Sequence, residues 1–552
     1  MNISDYLESK AFAVLGLLPA LSPTEQEKMA FVNDFEEITK NNVVLYDTWA
    51  EGDSDELLRV YNYNAMIEYK TEPWYYKNAR SYFWSTSSKE KGIKRSHSGF
   101  AKNVRDTLVA VCGTPLQHAG EGDLAGRPVE ERLDELVKAN DFMSLYRKTQ
   151  LPCTLVEGWG AYKIHWNVDL YGAEPVITYY RALDVRIYKR NNRVMGMTFL
   201  DWYRGPKGNR YLVAETRVYS PTKGGTFYVD CFEDRGAGTL AELSSSEGLG
   251  FLPPSGVVYS DMPCLFAAPC SIYEDTVHGL AGKSVFAGKL DLLDDLDQAL
   301  SQASNAIRRS TPVQVFDLEY AERDRNGFPK LPSLFECRFV AVQGTKNALG
   351  ESNSHGKPIE TIQPQLNTQM YDEHIQSIER LILNGILSPA TMGMDVAVKD
   401  NADAQREKEK VTIFTRNHVC AEESKILSSV LNQALIAKEY LLTGRITKLD
   451  WGVTVEYPSF ADASYESKLQ TMSAVLANGG VSPEMFVEKV YGDDISEERK
   501  QEEIKWLRER NKTPAPEAEG DMPEDMEAMM GLGTDGSEEP SGEGAVLPEG
   551  GE

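Results

Sequence analysis

The sequence predicts an α+β fold, because blocks with helical periodicity lie on both sides of a block of short strands. Apolar residues recur at helical spacing over 284–309 and 366–384, and over a longer run that ends near residue 442. Between residues 154 and 233, short apolar runs are separated instead by Gly, Pro and Asn, the pattern of strands and turns. A chain of 552 residues is long enough for about two to four domains with substantial cores.

The N-terminal half begins with predicted helices and continues with predicted strands. Helical spacing is clear over residues 57–69 and 100–111, and a third helix is expected over 130–146. Turn signals then separate six expected strands: 161–168, 176–180, 185–188, 197–202, 211–219 and 226–232. The apolar residues near the N-terminus have the spacing of an amphipathic helix, and the acidic residues before them argue against a secretory leader.

A helix, a small β-rich region and a second helix are predicted in the second half of the chain. Residues 284–310 carry an apolar stripe at helical spacing, and Pro312 ends this helix. Gly and Pro residues divide the next region, 311–364, into short strands and turns. Residues 365–391 then return to helical spacing.

A short loop over residues 392–401 joins this second helix to a very long one. The centre of the loop is Asp395, Val396, Ala397, Val398, Lys399, Asp400 and Asn401. Asn401 and Asp403 can cap the long helix, which occupies 402–464 together with a returning strand. Loops between helix ends are normally polar, because helix termini leave backbone groups unsatisfied. The three small apolar residues in this loop lack the bulk to anchor in a core, which makes the loop unusual for a surface turn.

The chain is acidic, and its charge is concentrated at the C-terminus. The formal net charge is −26, and residues 513–552 contain 12 acidic residues and no Lys or Arg. Because that segment has few large apolar side chains, it is predicted to be disordered, whereas residues 465–512 are predicted to be helical. The rest of the chain still has 72 acidic residues against 58 basic ones, which argues against a high-affinity DNA-binding protein with a basic patch.

The sequence offers no clear catalytic constellation. It has no Ser/His/Asp set and no HExxH motif, and its seven scattered cysteines, without a CxxC pair, are predicted to be reduced thiols. Gly279, Gly282, Lys283 and Ser284 imitate the end of a phosphate-binding loop, but the glycines are too close together for that motif. Four acidic residues in 284–310 could suggest a two-metal nuclease: Asp291, Asp294, Asp295 and Asp297. They lie opposite the apolar stripe, so the prediction is a solvated helix face, with no enzyme activity, cofactor or metal.

The order helix, β-rich insert, helix, loop and very long helix, from residue 284 to about residue 442, resembles the portal proteins of tailed double-stranded DNA bacteriophages. The resemblance implies a portal fold with these parts: a mixed α/β wing (1–283), a stem helix (284–310), a β-rich clip (311–364), a second stem helix (365–391), a tunnel loop (392–401), a long wing helix with a returning strand (402–464), a helical crown (465–512) and a disordered acidic tail (513–552). Over the N-terminal part the resemblance rests on mixed α/β character and not on a motif.

The resemblance implies a function as a DNA conduit. A portal subunit is expected to form a ring, typically of about twelve copies, around a channel at one capsid vertex. Such a ring nucleates procapsid assembly, docks the large terminase subunit, admits and releases double-stranded DNA, and holds head-completion or adaptor proteins and the tail. Major capsid and scaffolding proteins are further expected partners. No membrane is expected, and the location is the virion after assembly in the host cytoplasm. The alternatives are a phage-encoded nuclease or peptidase, and a scaffold protein without a channel.

The resemblance also assigns roles to individual residues. The loop centre, 395–401, is expected to face the DNA, with Val396, Ala397 and Val398 at the narrowest point and Lys399 as a weak phosphate contact. The residues expected to line the channel from the stem are Asp291, Asp294, Asp295, Asp297, Arg308 and Arg309. The residues expected to dock the terminase or connector from the clip are Arg323, Asp324, Arg325, Lys330 and Arg338.

We expect truncation after Lys512 to leave ring formation intact. The removed tail has few large apolar residues to contribute to a core, and its acidic charge would repel the same tail on neighbouring copies. Light scattering and negative-stain microscopy of the truncated and full chains in one buffer measure the effect. A truncated chain that fails to assemble where the full chain assembles would show that the tail has a structural role.

Overall fold

The computed structural model describes the chain in eighteen ranges, and the account below concerns these residues. They are 3–17, 31–32, 43–71, 82–85, 93–113, 117–191, 193–236, 239–243, 250–275, 281–310, 313–317, 325–327, 338–342, 359–362, 367–394, 409–458, 482–491 and 497–510. They belong to two compact units, Met1–Phe460 and Ala461–Glu552. The loop centre 395–401, Asp403 and the tail 513–552 lie outside the described residues. The predicted cap of the long helix by Asn401 or Asp403 is wrong, because that helix begins at Lys410 and its N-cap residue is Glu409.

Seven helices lie in the described residues before the main sheets. They are α1 (Ile3–Val14), α2 (Val43–Glu51), α3 (Ser54–Thr71), α4 (Phe100–Cys112), α5 (Val129–Ala139), α6 (Phe142–Leu145) and α7 (Leu151–Glu157). The helices predicted over 57–69 and 100–111 are confirmed as α3 and α4. The single helix predicted over 130–146 is wrong, because Asp141 adopts a left-handed conformation, with φ of 44°, between α5 and α6. A π-helix, Tyr146–Gln150, then joins α6 to α7.

The six strands predicted between residues 154 and 233 are confirmed. Four short strands precede them: β1 (Phe31–Val32), β2 (Gln117–Ala119), β3 (Asp123–Leu124) and β4 (Arg127–Pro128). The six are β5 (Trp159–His165), β6 (Val176–Arg181), β7 (Val185–Arg190), β8 (Arg193–Arg204), β9 (Arg210–Ser220) and β10 (Gly224–Gly236), with a short helix α8 (Val168–Tyr171) after β5. Three further strands are β11 (Thr239–Glu242), β12 (Gly256–Met262) and β13 (Ala267–Ser271). Helices and strands therefore occupy separate blocks, in agreement with the α+β class.

The strands form two principal antiparallel sheets. A seven-stranded sheet has the order β1-β11-β10-β9-β8-β7, and β12 also pairs with β10. A three-stranded sheet has the order β13-β5-β6. The largest hydrophobic core lies between this smaller sheet, the helices α2 to α7 and the helices of the second half of the unit. A second cluster packs α1 against the seven-stranded sheet.

Two helices enclose a small sheet in the second half of the larger unit. Helix α9 (Leu290–Arg309) begins at Leu290 and not at residue 284, because residues 284–289 form turns in which the Ala287 amide donates to the Ser284 carbonyl at 3.1 Å. The insert contains β14 (Val313–Asp317), β15 (Arg338–Val342) and β16 (Ile359–Ile362). Strand β14 is central, parallel to β15 and antiparallel to β16. Helix α10 (Thr368–Leu383) follows, which confirms the predicted order of helix, strands and helix. The predicted extension of this helix to residue 391 is wrong, because Gly385 adopts a left-handed conformation with φ of 78°.

The predicted very long helix is α11 (Lys410–Thr443), with 34 residues and therefore a length of about 51 Å. It packs against β5, β13, α4 and α5, and its Leu427, Val430, Leu431 and Leu435 are buried in the main core. The returning strand is β17 (Thr454–Glu456), which pairs antiparallel with β2. The middle of α11 thus packs against both sheet strands and helices of the N-terminal part of the larger unit.

The second unit contains two described helices, α12 (Pro483–Tyr491) and α13 (Glu497–Arg510). Both were predicted within the helical region 465–512. The Ser482 hydroxyl accepts a hydrogen bond from the Met485 amide at 3.3 Å, which is the expected N-cap of α12. The two helices pack on each other, and Arg508 forms an ion pair with Glu484.

Candidate functional site

The candidate site is the helix pair α9 and α10 together with the start of α11. The Nζ atom of Lys289, just before α9, donates to the carbonyl oxygens of Leu381 and Asn384 at 2.8 and 3.2 Å. These carbonyls belong to the C-terminal end of α10, where a cation satisfies unpaired acceptors and opposes the helix dipole. At the other end, β14 leaves α9 and pairs antiparallel with β16, which leads back to α10. The pair is therefore a closed helical hairpin.

Two of the four acidic residues of α9 are buried, so their assignment to a solvated, channel-lining face is wrong. Asp294 is 3% exposed and Asp297 is 0% exposed. The Asp294 carboxylate accepts from the amides of Phe83 and Trp84, at 2.7 and 3.3 Å. These amides lie in an irregular segment that has no helix or strand to satisfy them, and a buried amide needs an acceptor. Helical periodicity identified the polar face correctly but not the chain segment that covers it.

Asp297 satisfies a second irregular segment in the same way. Its carboxylate accepts from the Trp84 indole nitrogen at 3.0 Å and from the Ser98 amide at 2.8 Å, and it pairs with the His97 Nδ1 at 2.7 Å. One turn further along α9, the Ser301 hydroxyl accepts from the Ser96 amide at 2.9 Å. This face of α9 therefore carries a row of hydrogen-bond acceptors. They hold the helix against the N-terminal part of the unit.

Burial also changes the proton affinity of this row. Desolvation raises the pKa of Asp294 to about 7, although the amides of Phe83 and Trp84 favour the charged form and oppose the shift. Burial likewise raises the pKa of Asp295, with a further contribution from the nearby charge of Asp291. Asp294 therefore holds its proton to a higher pH than a free aspartate does.

The other predicted stem residues remain on the surface. Asp291 and Asp295 are exposed along one side of α9, and Arg308 and Arg309 are exposed in its last turn. Cations at the C-terminal end of a helix interact favourably with the helix dipole. These four side chains can still face an aqueous channel.

The predicted clip residues are only partly described. Arg325 is exposed in the turn 325–327, and Arg338 begins β15. Arg323, Asp324 and Lys330 lie outside the described residues. The structure therefore places two of the five predicted docking residues on the insert between α9 and α10, and it does not bring them together with the exposed residues of α9.

The base of the predicted tunnel loop is closed by hydrogen bonds. The Thr412 hydroxyl, in the first turn of α11, accepts from the Ser388 amide at 2.9 Å and lies 2.7 Å from the Thr391 hydroxyl. The Thr412 amide in turn donates to the Ser388 hydroxyl at 3.4 Å. These bonds hold the segment after α10 against the beginning of α11. The intervening residues 395–408, with Asp395, Val396, Ala397, Val398, Lys399, Asp400 and Asn401, therefore leave and re-enter the fold at one place.

Large apolar side chains are exposed around this base. Leu381 is 50% exposed on α10, and Phe414 is 63% exposed on α11. Leu381 lines a cleft of about 560 Å³ together with Leu387, Pro389 and Val411, and Phe414 lies one helical turn along α11 from Val411. The helical spacing predicted over 366–384 does not show which apolar residues are buried, because neighbouring residues of a helix point about 100° apart. This patch is a functional candidate that sequence reasoning missed.

The sequence also gave no prediction for the charged residues that α11 buries: Arg416, Glu423, Lys438 and Glu439. Arg416 donates to the carbonyl oxygens of Val111 and Pro458, at 3.2 and 2.6 Å. Lys438 forms ion pairs with Glu135 at 3.1 Å and Glu174 at 3.0 Å. Arg416, Glu423 and the buried Val430 follow one another at intervals of seven residues. Residues at this spacing lie on the same face of a helix, so the spacing could have placed both charged residues on the buried face.

Features of other functional classes were sought in the described part of the chain. It contains no group of three or more His, Cys, Asp or Glu side chains arranged to hold a metal ion, and its six described cysteines are free thiols. Among these residues, no helix combines the length and the apolar character needed to cross a lipid bilayer. Neither the protein-family models nor the curated proteins compared with the chain give a match.

We expect Asp297→Ala to lower the free energy of unfolding by about 2–4 kcal/mol, because it leaves buried donors of Trp84, His97 and Ser98 without an acceptor. The matched control is Asp295→Ala, an exposed carboxylate on the same helix, with an expected change within about 0.5 kcal/mol. Urea unfolding followed by circular dichroism measures both. Equal effects of the two substitutions would contradict the structural role of Asp297.

Proposed function

We propose that the chain is the subunit of a portal-type ring that conducts double-stranded DNA through one vertex of a phage capsid. The observation that carries the proposal is the order of α9, the three-stranded insert, α10, the closed loop base and the 34-residue α11. The helices α9 and α10 support the assignment of the stem, and the small sheet between them supports that of the clip. The loop held between α10 and α11 supports the assignment of the tunnel loop, and α11 that of the wing helix.

The exposed apolar patch supports assembly into a ring. Three large apolar side chains are exposed near the end of α10 and the start of α11: Leu381, Val411 and Phe414. Large apolar side chains grouped on a surface mark an interaction site. In a cyclic ring each subunit meets its neighbour through two different faces. We assign this patch to one of those faces, where the neighbouring subunit would remove it from water.

The charges of α9 suit a channel through which DNA must move. Exposed Asp291 and Asp295 repel phosphates, and exposed Arg308 and Arg309 attract them at one end of the helix. A surface with mixed charge in an acidic chain keeps non-specific adhesion low, because tight DNA binding requires the neutralisation of many phosphates by basic groups. In this proposal the channel guides DNA and does not hold it.

The remaining roles follow from the same proposal. The insert between α9 and α10, with Arg325 and Arg338, would dock the large terminase subunit during packaging and the adaptor proteins afterwards. The wing would contact the major capsid and scaffolding proteins. In this proposal the subunit performs no catalysis itself, and the packaging motor supplies the hydrolysis of ATP.

Purified protein is expected to form closed rings with a central hole in negative-stain images. Leu381→Asp and Phe414→Asp should each shift the population towards single subunits of about 62 kDa in light scattering, because they place a charge in the proposed contact. Phe414→Leu is the matched control and should assemble normally. A wild-type chain that stays monomeric across salt and protein concentrations would contradict the proposal.

Replacing Val396 and Val398 together by Asp should leave ring assembly intact but reduce DNA packaging or retention at least several-fold. Two added acidic groups per subunit, repeated around a narrow channel, repel the DNA backbone. A packaging assay with rings of confirmed assembly measures the effect, and Val396→Ala with Val398→Ala is the size-reduced control. Normal packaging and retention by the Asp variant would show that this loop does not line the constriction.

A further inference from the structure

A buried amide and a buried carboxyl group face each other between the π-helix and α11. Gln150 is the last residue of the π-helix, and Glu423 lies near the middle of α11; both are 0% exposed. The Gln150 Nε2 donates to the Glu423 Oε1 at 2.9 Å and to the Thr154 hydroxyl at 3.1 Å. The amide oxygen of Gln150 (Oε1) and the second carboxyl oxygen of Glu423 (Oε2) are both buried, and neither has a hydrogen-bond partner among the described residues.

A single proton shared between these two oxygens would satisfy both of them. An amide and a carboxylic acid can form a cyclic pair, in which the amide N–H donates to one carboxyl oxygen and the acid O–H donates back to the amide oxygen. An ionised Glu423 cannot do this, because it has no donor. It would leave a charge with one amide donor in the interior and the Gln150 oxygen unsatisfied, and both cost free energy.

We propose that Glu423 is a protonated carboxylic acid whose Oε2–H donates to Gln150 Oε1, and that this acid–amide pair is a proton-dependent lock between α11 and the π-helix. On deprotonation the proton passes to a base in solvent, and the O–H···O hydrogen bond is lost. Gln150 Oε1 and Glu423 Oε2 are then both acceptors without a hydrogen atom between them, and they repel each other. The contact between α11 and the π-helix is weakened as a result. The inference uses only these contacts and does not rest on the proposed function.

The surroundings of Glu423 favour the neutral acid. Burial raises the pKa of Glu423 to about 8, the Gln150 amide partly opposes the shift, and the charge of Cys420 adds to it. The titratable groups around it come from five elements and one connecting segment: Cys112 on α4, Tyr146 on the π-helix, Tyr162 on β5, Cys270 on β13, Cys420 on α11 and Tyr457 after β17. Arg416, on the same helix, donates to the carbonyl oxygens of Val111 and Pro458.

Most of these neighbours stay neutral when Glu423 titrates. Burial raises the pKa of Tyr146, Tyr162 and Tyr457, as well as that of Cys270, well above the usual values. Cys420 differs, because a hydrogen bond from Cys112 lowers its pKa. Any test must therefore separate the titration of Glu423 from that of Cys420.

The sign of the pH dependence follows from linkage. The native state holds the Glu423 proton up to about pH 8, whereas the unfolded chain releases it near pH 4.5, the ordinary pKa of a glutamate. The native state therefore binds more protons between these values, and stability falls as the pH rises through that window. The lock is closed at neutral pH and opens above the folded-state pKa.

The test is the thermal unfolding midpoint of the full chain, measured from about pH 6 to about pH 9, on either side of the Glu423 pKa. Glu423→Gln keeps both hydrogen bonds, as an amide–amide pair, and cannot ionise. Its midpoint should change less with pH than that of the wild type, and it should exceed the wild-type midpoint at the alkaline end. The matched control, Glu422→Gln on the half-buried neighbouring position, should follow the wild-type pH slope. Cys420→Ser removes the titration of the thiol, and the difference between Cys420→Ser and the double variant with Glu423→Gln then measures Glu423 alone. A Glu423→Gln curve parallel to the wild-type curve would overturn the proposal.

Infrared spectroscopy of protein with isotope-labelled glutamate tests the same point. The expected result is a carbonyl band of protonated glutamic acid that persists up to about pH 8 and is absent from Glu423→Gln. The comparison with Glu423→Gln removes the contribution of Glu157, whose pKa burial raises to about 7. If only ionised glutamate bands are present at neutral pH, Glu423 is not the donor and the lock does not exist. The same result would follow if a buried water molecule, and not the acid proton, satisfied the two oxygens of an ionised pair.

Discussion

Each charged side chain that α11 buries needs a polar partner from the surrounding residues, and this constraint determines which segments meet along the helix. Arg416 needs the carbonyl oxygens of Val111 and Pro458, so the end of α4 and the segment after β17 meet at the first part of the helix. Lys438 requires acidic groups from α5 and from the connection before β6. A buried charge without its partner costs several kcal/mol. The helix is therefore held in one rotational and axial position, more specifically than apolar packing alone would achieve.

Helix α9 uses the same principle with backbone groups in place of charges. Asp294, Asp297 and Ser301 accept hydrogen bonds from two irregular segments, 82–85 and 93–99, that have no regular partners of their own. Helix α9 thus supplies acceptors to these irregular segments. Because Lys289 also joins the start of α9 to the end of α10, these bonds connect the helical hairpin with the N-terminal part of the larger unit.

Sequence reasoning succeeded where a local pattern determines the structure and failed where the outcome depends on distant partners. Alternation and turn residues located β5 to β10, and helical spacing located α9, α10 and α11. The same spacing could not show that Asp294 and Asp297 are covered, because the covering segment lies about 200 residues away. The interruption of the helix expected over 130–146 depends on an unusual backbone conformation at Asp141. The exposed Leu381 and Phe414 were missed because an apolar residue on a helix carries no mark that distinguishes a core from an interface.

The π-helix links the length of one helical turn to the environment of a residue on another helix. A π-turn accommodates one residue more than an α-helical turn, and such turns are often found at functional positions. Deleting one residue from Tyr146–Gln150 would rotate Gln150 by about 100° relative to α7 and remove its side chain from Glu423. The acid would then be buried without its amide partner, so the length of this turn and the choice of residue on α11 depend on each other.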